Sequence, residues 1–401
     1  MAHRTVCRPP SPLGFVLALS AAWLAACAAV PQSPSPAGAW RFEDGALFTI
    51  ARSTEETYRF RNLETGEAHK LYPAEPGTLE ASAGFEGREA VGARVTLDER
   101  GGRWVGLRWQ GAGPLATVEP RTATRLELPE RTARIRSGEI ELFAKLVVPD
   151  GPGPHPAVVL CHGSEKYAAT DFYHEPYHYA AAGLATLVFD KRGTGRSGGD
   201  YGMVFDLLAD DVVAVADWLA GQPEIDPERI GLAGFSQGGW VAPLAASRSK
   251  RVKFVLVGYG IAPPPAQEER QEVLRSLRDA GFGTSELGRA NALMDAIEAV
   301  LRTGLEGGWD QLAPLRREAK HATWGAAIDR DSLTGSFLRY PPWVLGTFGK
   351  SRMPPAEAWF HDARGILETL EIPSLWLLGG DDVEAPNEGT IRILQTLRAQ
   401  G

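Results

Sequence analysis

Cysteine is scarce: Cys7, Cys27 and Cys161 are the only three in 401 residues. A disulfide framework of the kind that staples small secreted domains is therefore not available, and the chain must be held together by apolar burial. No block of Lys or Arg occurs and the net charge is −8. Nothing here matches the basic face that phosphate backbones require, so nucleic acid is not expected as a partner. No apolar run reaches the roughly 20 residues of a membrane-spanning helix. No Gly-rich phosphate loop follows the first apolar strands, which leaves nucleotide binding unsupported. No cluster of His, Asp and Cys has ligand spacing, so neither a metal nor another cofactor is expected. What is present is of globular composition, 44% apolar and 23% charged. The length predicts two domains with accessory segments rather than one ordinary core.

The N-terminus carries His3, Arg4 and Arg8 and then an apolar run from Leu13 to Ala26. That run is too short to span a bilayer but suits the core of a signal peptide. It ends in Leu24-Ala25-Ala26-Cys27, which resembles the bacterial lipobox. Residues 1–27 are thus expected to be a signal peptide, with Cys27 the lipidated residue. The protein would then be exported across the inner membrane and anchored to a membrane at the cell envelope, leaving Cys161 as the only thiol. Acyl chains on Cys27 would contribute about 0.8 kcal/mol per buried CH₂. Residues 28–40, rich in Pro and Ser, read as a semi-rigid tether.

Residues 41–125 read as a small antiparallel β domain. Ala46 to Ala51, Thr57 to Asn62, Arg94 to Asp98 and Arg103 to Trp109 are its strands, and Gly101-Gly102 is a hairpin turn. From 130 to 401 the pattern changes. Ala133 to Arg136 and Glu141 to Val148 form an entry hairpin around Ser137-Gly138. Four buried-strand runs follow, at Ala157–Cys161, Ala185–Phe189, Ile230–Gly234 and Phe254–Val257, and a fifth lies at Leu375–Leu378. Helical patterns at Phe172–Ala182, Met203–Leu219 and Gln237–Ser247 alternate with them, which predicts an α/β fold with a parallel sheet covered on both faces. Residues 262–360 interrupt the alternation with mostly helical sequence and are expected to form a cap. Its Trp309, Trp324, Trp343 and Trp359 are candidates to line an apolar acyl pocket or to pack the cap.

The chemistry centres on Gly234-Phe235-Ser236-Gln237-Gly238, a G-x-S-x-G sequence between a strand and a helix. A serine on so sharp a turn needs neighbours without bulk and presents its hydroxyl at the carboxyl edge of the sheet. Ser236 is the expected nucleophile. Cys161-His162-Gly163-Ser164 closes an earlier strand, and the backbone N–H groups of Ser164 and Gln237 are the expected oxyanion donors. His162 is read as a loop organiser and Cys161 as a small buried hydrophobe.

The run from Asp226 to Trp240, with His162-Gly163 and the Asp190–Ser197 loop, resembles bacterial α/β hydrolases of the dienelactone-hydrolase, prolyl-oligopeptidase-like and acyl-thioesterase-like group. The resemblance covers roughly residues 130 to 260 and 370 to 401. It implies an α/β-hydrolase fold and hydrolysis of an ester, thioester or peptide bond in a small-molecule acyl substrate, without added cofactor. It also implies a structural role for the Asp190–Ser197 loop and places the catalytic acid at Asp382, with Asp381 as the alternative.

In such hydrolases a histidine follows the acid, and here none follows Asp382. His174, His178, His321 and His361 all precede it. Three readings follow: the chain lacks a last strand, His loop and helix; it uses His174 or His178 instead; or it is a degenerate hydrolase that binds without turnover. An end inside the helical run Ile391 to Arg398 favours the first. A surface-anchored binding lipoprotein is the rival from another class, and a peptidase ranks below an esterase.

Overall fold

The structure, a computed structural model, describes residues 35–400 apart from 85–86, 112–118, 351–352, 381, 383–384 and 386. The signal segment, Cys27, most of the tether, Asp381 and Pro386 lie outside the described residues.

Eight short strands open the fold: β1 (Gly38–Phe42), β2 (Leu47–Arg52), β3 (Tyr58–Asn62), β4 (Ala68–Pro73), β5 (Thr78–Ser82), β6 (Val91–Arg100), β7 (Arg103–Gly111) and β8 (Arg121–Arg125). Each pairs antiparallel with the next, and β1 pairs with β8, so the sheet closes into a barrel. Alternation along the strands explains the closure. Trp40 and Phe42 of β1, Phe48 and Ile50 of β2 and Phe60 of β3 point inward into one aromatic core. Phe42 and Phe48 lie 4.4 Å apart by ring centroid, and Phe48 and Phe60 4.9 Å apart. Gly101 and Gly102 take φ of 59° and 77°, as a two-residue hairpin turn requires. The expected tether boundary at residue 40 shifts: Gly38, Ala39 and Trp40 already belong to β1, because Trp40 is needed to fill the barrel.

A seven-stranded sheet follows. Its strands are β9 (Glu130–Ser137), β10 (Ile140–Val147), β11 (His155–Cys161), β12 (Ala185–Phe189), β13 (Ile225–Phe235), β14 (Val252–Gly258) and β15 (Ser374–Leu377). Their spatial order is β15-β14-β13-β11-β12-β10-β9. The five strands from β15 to β12 run parallel, while β9 and β10 form the entry hairpin, turning at Gly138 with φ 55°. Helices α1 (Ala169–Phe172), α2 (Glu175–Ala181), α3 (Phe205–Ala220) and α4 (Gly238–Arg248) connect the parallel strands. This is the arrangement expected of an α/β-hydrolase fold. One expected element differs: the single helix Phe172–Ala182 is two, broken at Tyr173-His174. Pro176 has no N–H and fits only a first helical turn, so a new helix starts at Glu175.

Between β14 and β15 the chain builds a helical cap from α5 (Pro265–Asp279), α6 (Thr284–Arg302), α7 (Trp309–His321), α8 (Thr323–Ala327), α9 (Leu333–Arg339), α10 (Pro342–Val344), a π-helical turn Leu345–Gly349 and α11 (Ala356–Trp359). The cap has its own core around Leu277, Leu293, Ile297 and Phe337, distinct from the core of the sheet. Three of its four tryptophans belong there: Trp324 is buried, Trp309 stacks on Phe337 at 5.8 Å, and Trp359 packs against the cluster. Trp343 is 67% exposed. The acyl-pocket role for these residues therefore gives way to packing. Helix α12 (Arg364–Thr369) rejoins α4, and α13 (Glu388–Gln400) follows β15. No helix among the described residues is long and apolar enough to cross a membrane.

Candidate active site

Strand β13 hands the chain to α4 through Gly234-Phe235-Ser236-Gln237-Gly238. Ser236 has φ 50°, a left-handed conformation rare for a non-glycine residue, and it is exposed. The turn has no spare room. A Cβ at Gly234 would lie 2.1 Å from the Gly238 carbonyl oxygen, and one at Gly238 would lie 2.3 Å from the Cys161 carbonyl oxygen. The second contact matters most, because it presses the start of α4 against the end of β11. The Ser236 N–H donates to the Gly258 oxygen at 3.2 Å, and the Trp240 Nε1–H donates to Pro263 at 2.9 Å, which fixes the elbow to the neighbouring strand and loop.

The loop after β11 thus stands beside the elbow. The Gly163 N–H is occupied, donating to the Tyr173 hydroxyl at 3.1 Å and to Glu165 at 3.3 Å. The backbone N–H groups of Ser164 and Gln237 make no hydrogen bond among the described residues. Gly238, two residues past Ser236, packs against Cys161, three residues before Ser164. The structure places Asp382 two strands away, beyond β15 on the same carboxyl edge, with its Oδ1 accepting from Ala385 N–H at 2.9 Å and its carbonyl accepting from Arg275 at 2.7 Å. Nearby Glu268 has its carboxyl pushed up to about 8, first by burial and then by the carboxylates of Glu272, Glu269 and Asp382.

Below the elbow lies a buried lysine. Lys191, just past β12, donates from Nζ to the Gly163 oxygen at 2.6 Å and to Gln237 Oε1 at 2.9 Å. Burial lowers its pKa to about 8 against the opposing pull of Glu165. His162 points its Nδ1 at the Gly163 oxygen, 3.2 Å away, and burial followed by the Lys191 charge lowers its pKa to about 4. The Cys161 thiol is buried and pushed well up by desolvation.

A cleft of about 550 Å³ opens beside the elbow, lined by Phe235 and Tyr259 and by Arg59, Arg61 and Thr54 of the barrel. His174 and Glu175 also line it. The His174 imidazole sits 3.4 Å from Glu175 and edge-on to His178, 4.8 Å away by ring centroid. Burial, then Arg61, His178 and Arg59, holds His174 well below its ordinary pKa. His178 bonds Thr49 of β2 at 2.6 Å, joining the barrel to the domain of the seven-stranded sheet, and is lowered to about 3 by burial and then Arg61. His361 packs against Phe205, and His321 ends α7. Among the described residues none of these histidines hydrogen-bonds Ser236.

Residues 137–401 match the family of X-Pro dipeptidyl-peptidases (S15 family). The chain belongs to this family. An uncharacterized 31.7 kDa protein of Escherichia coli is 37% identical over 110 residues, 27% of this chain and 38% of that protein. Esterase EstD of Thermotoga maritima is 26% identical over 213 residues, 49% of this chain and 48% of the esterase. The matched stretches thus span between about two fifths and half of these relatives. Among solved structures, a 2,6-dihydroxy-pseudo-oxynicotine hydrolase aligns with TM-score 0.40 at 20% identity, over 67% of this chain and 57% of that one. The matched residues take in the sheet from β10 onward together with the helical cap.

Sequence reasoning missed Lys191, Arg59 and Arg61. A lysine two residues past a buried strand, between Asp190 and Arg192 in the sequence, was a usable signal for the first. Nothing in the barrel sequence marked the two arginines, because their position depends on how barrel and sheet dock.

Proposed function

We propose that the protein is a serine hydrolase that cleaves an ester, thioester or similar acyl bond through an acyl-enzyme on Ser236. The observation that carries this reading is an exposed serine at a left-handed elbow, next to Gln237 in the chain and beside the loop that carries Ser164, neither of whose N–H groups makes a hydrogen bond among the described residues. Ser236 attacks the carbonyl carbon, the oxyanion is received by those two groups, and Asp382 orients a histidine that takes the Ser236 proton. No histidine follows Asp382 in these residues. A fluorophosphonate probe and an activated ester, each with Ser236→Ala as control, test the assignment. Labelling or hydrolysis that survives Ser236→Ala overturns it.

The family match favours a second reading, a peptidase acting on X-Pro peptides. An alanyl-prolyl anilide cleaved faster than a butyrate ester would support it. A third reading is a surface-anchored binding module on the same fold. Binding of acyl ligands with neither labelling nor turnover would support that. In each reading Cys27 carries the lipid that holds the protein at the cell envelope, and incorporation of labelled palmitate lost in Cys27→Ser is the check.

A further inference from the structure

Two residues past the ends of three adjacent parallel strands, β12, β11 and β13, lie Lys191, Gly163 and Gln237, and these residues converge under the elbow. The loop that begins at Lys191 is rigid. The buried Asp190 carboxylate accepts from the Thr170 N–H at 3.0 Å, the Thr170 hydroxyl at 2.8 Å and the Arg196 N–H at 2.9 Å. Thr194 donates to the Lys191 carbonyl at 2.7 Å. The Lys191 side chain is thereby held in place, with its Nζ shared between the Gly163 carbonyl and the Gln237 side chain.

The Gly163 carbonyl is half of a peptide unit whose other half is the Ser164 N–H. A cation donating to that oxygen withdraws electron density through the amide and makes its N–H a stronger donor, the cooperative strengthening seen along hydrogen-bond chains. The next carbonyl, Ser164 O, accepts from the Tyr201 hydroxyl at 2.5 Å, and the Tyr201 ring lies 4.8 Å from Lys191 Nζ. Both peptides that orient the Ser164 N–H are therefore pinned. The Gln237 contact ties the same ammonium to the residue that offers the other N–H. Resting on the reading of Ser236 and Ser164 given above, we propose that Lys191 is the positioning residue of the oxyanion site, its ammonium setting the direction and donor strength of the Ser164 N–H and the placement of Gln237.

The charged form does this work, so the effect is present at neutral pH and fades as pH rises through about 8, where Lys191 loses its proton. The groups facing it are His162 and Glu165 from the loop after β11, Asp211 from α3, the Tyr201 ring and the Gln237 amide. Of these, His162 is held near 4 and stays neutral through that range.

The test uses the whole chain labelled with ¹⁵N-serine, with the Ser164 amide signal identified by its loss in Ser164→Ala. In the wild type this signal should titrate with a midpoint near 8. In Lys191→Met and Lys191→Gln it should be flat, and Ser236 labelling by fluorophosphonate at pH 7 should slow by about 10- to 100-fold, less than or comparable to loss of a direct oxyanion donor. Lys191→Gln keeps a neutral donor and guards against a Met variant that fails to fold, while the wild-type titration needs no variant at all. A Ser164 amide that ignores pH between 7 and 9, or a titration that persists in Lys191→Gln, overturns the proposal. A wild type that never labels counts against the acyl-transfer reading alone, because the amide titration still decides Lys191.

Discussion

Adding one methyl at Gly238 probes the contact that holds the two halves of the candidate site together. A Cβ there would sit 2.3 Å from the Cys161 carbonyl oxygen, 3.1 Å from its carbon and 3.3 Å from its Cβ. An ordinary contact begins near 3.4 Å, so the start of α4 and the end of β11 must part by about 1 Å. Neither side yields easily. Cys161 is paired within the sheet to Gly234, and α4 is anchored by Trp240, whose ring stacks on Phe205 at 5.6 Å. Overpacking of this kind costs about 1–3 kcal/mol, or roughly 1–4 °C of melting temperature in a protein of this size. The same displacement moves the Gln237 N–H away from the Ser164 N–H, and a 1 Å error in a reacting site costs about 10²-fold in rate. Gly238→Ala should therefore melt a few degrees below wild type and label at Ser236 about a hundredfold more slowly. Gly365→Ala is the matched control: it lies in α12 with nothing within 4 Å of the added Cβ and should raise stability by about 0.5–1 kcal/mol. A Gly238→Ala protein that melts and labels like the wild type would refute the claim that this contact sets the site.

Asp211→Asn should lower stability by about 3 kcal/mol in thermal unfolding, because the buried carboxylate receives Arg192 through two bonds of 2.7 Å and the Ser137 hydroxyl at 2.6 Å, and its loss strands the guanidinium. Acid should loosen the junction of barrel and sheet. With its pKa near 3 in the fold and 6.5 outside it, His178 takes up its proton more readily in the unfolded chain, so stability falls as pH drops from about 6.5 towards 3. His178→Asn should flatten that decline in pH-dependent melting curves. His174→Ala should leave Ser236 labelling within a few-fold of wild type, since burial and Arg61 make this imidazole a poor base; a loss of labelling would identify it as the base after all.

The parts of this fold that are local in sequence were legible in it. Continuous apolar runs marked β11 to β15, and the elbow around Ser236 was readable because its two glycines are required by contacts within a few residues of each other or with one neighbouring strand. Closure of the barrel was not legible: pairing of β1 with β8 joins residues far apart in the chain, and the aromatic alternation that drives it is hidden behind a Pro/Ser run at its start. The break at Tyr173-His174 was overridden by helical periodicity that ignored Pro176. The destination of the cap tryptophans also escaped the sequence, since an apolar ring fills a core and lines a pocket with the same composition. Lys191 was passed over because its partners are a backbone carbonyl and a side chain on two other strands.

Strand β3 has a consequence for how such a protein can change over time. Phe60 faces the interior of the barrel while Arg59 and Arg61, one residue to either side, face the cleft next to the Ser236 elbow. The period of two separates these duties residue by residue. Drift at 59 and 61 can alter the charge that an incoming molecule meets without touching the aromatic core, and the core can be conserved by selection while its outer neighbours are free to explore. A barrel wall of this kind lets a lineage try new substrates at little risk to folding.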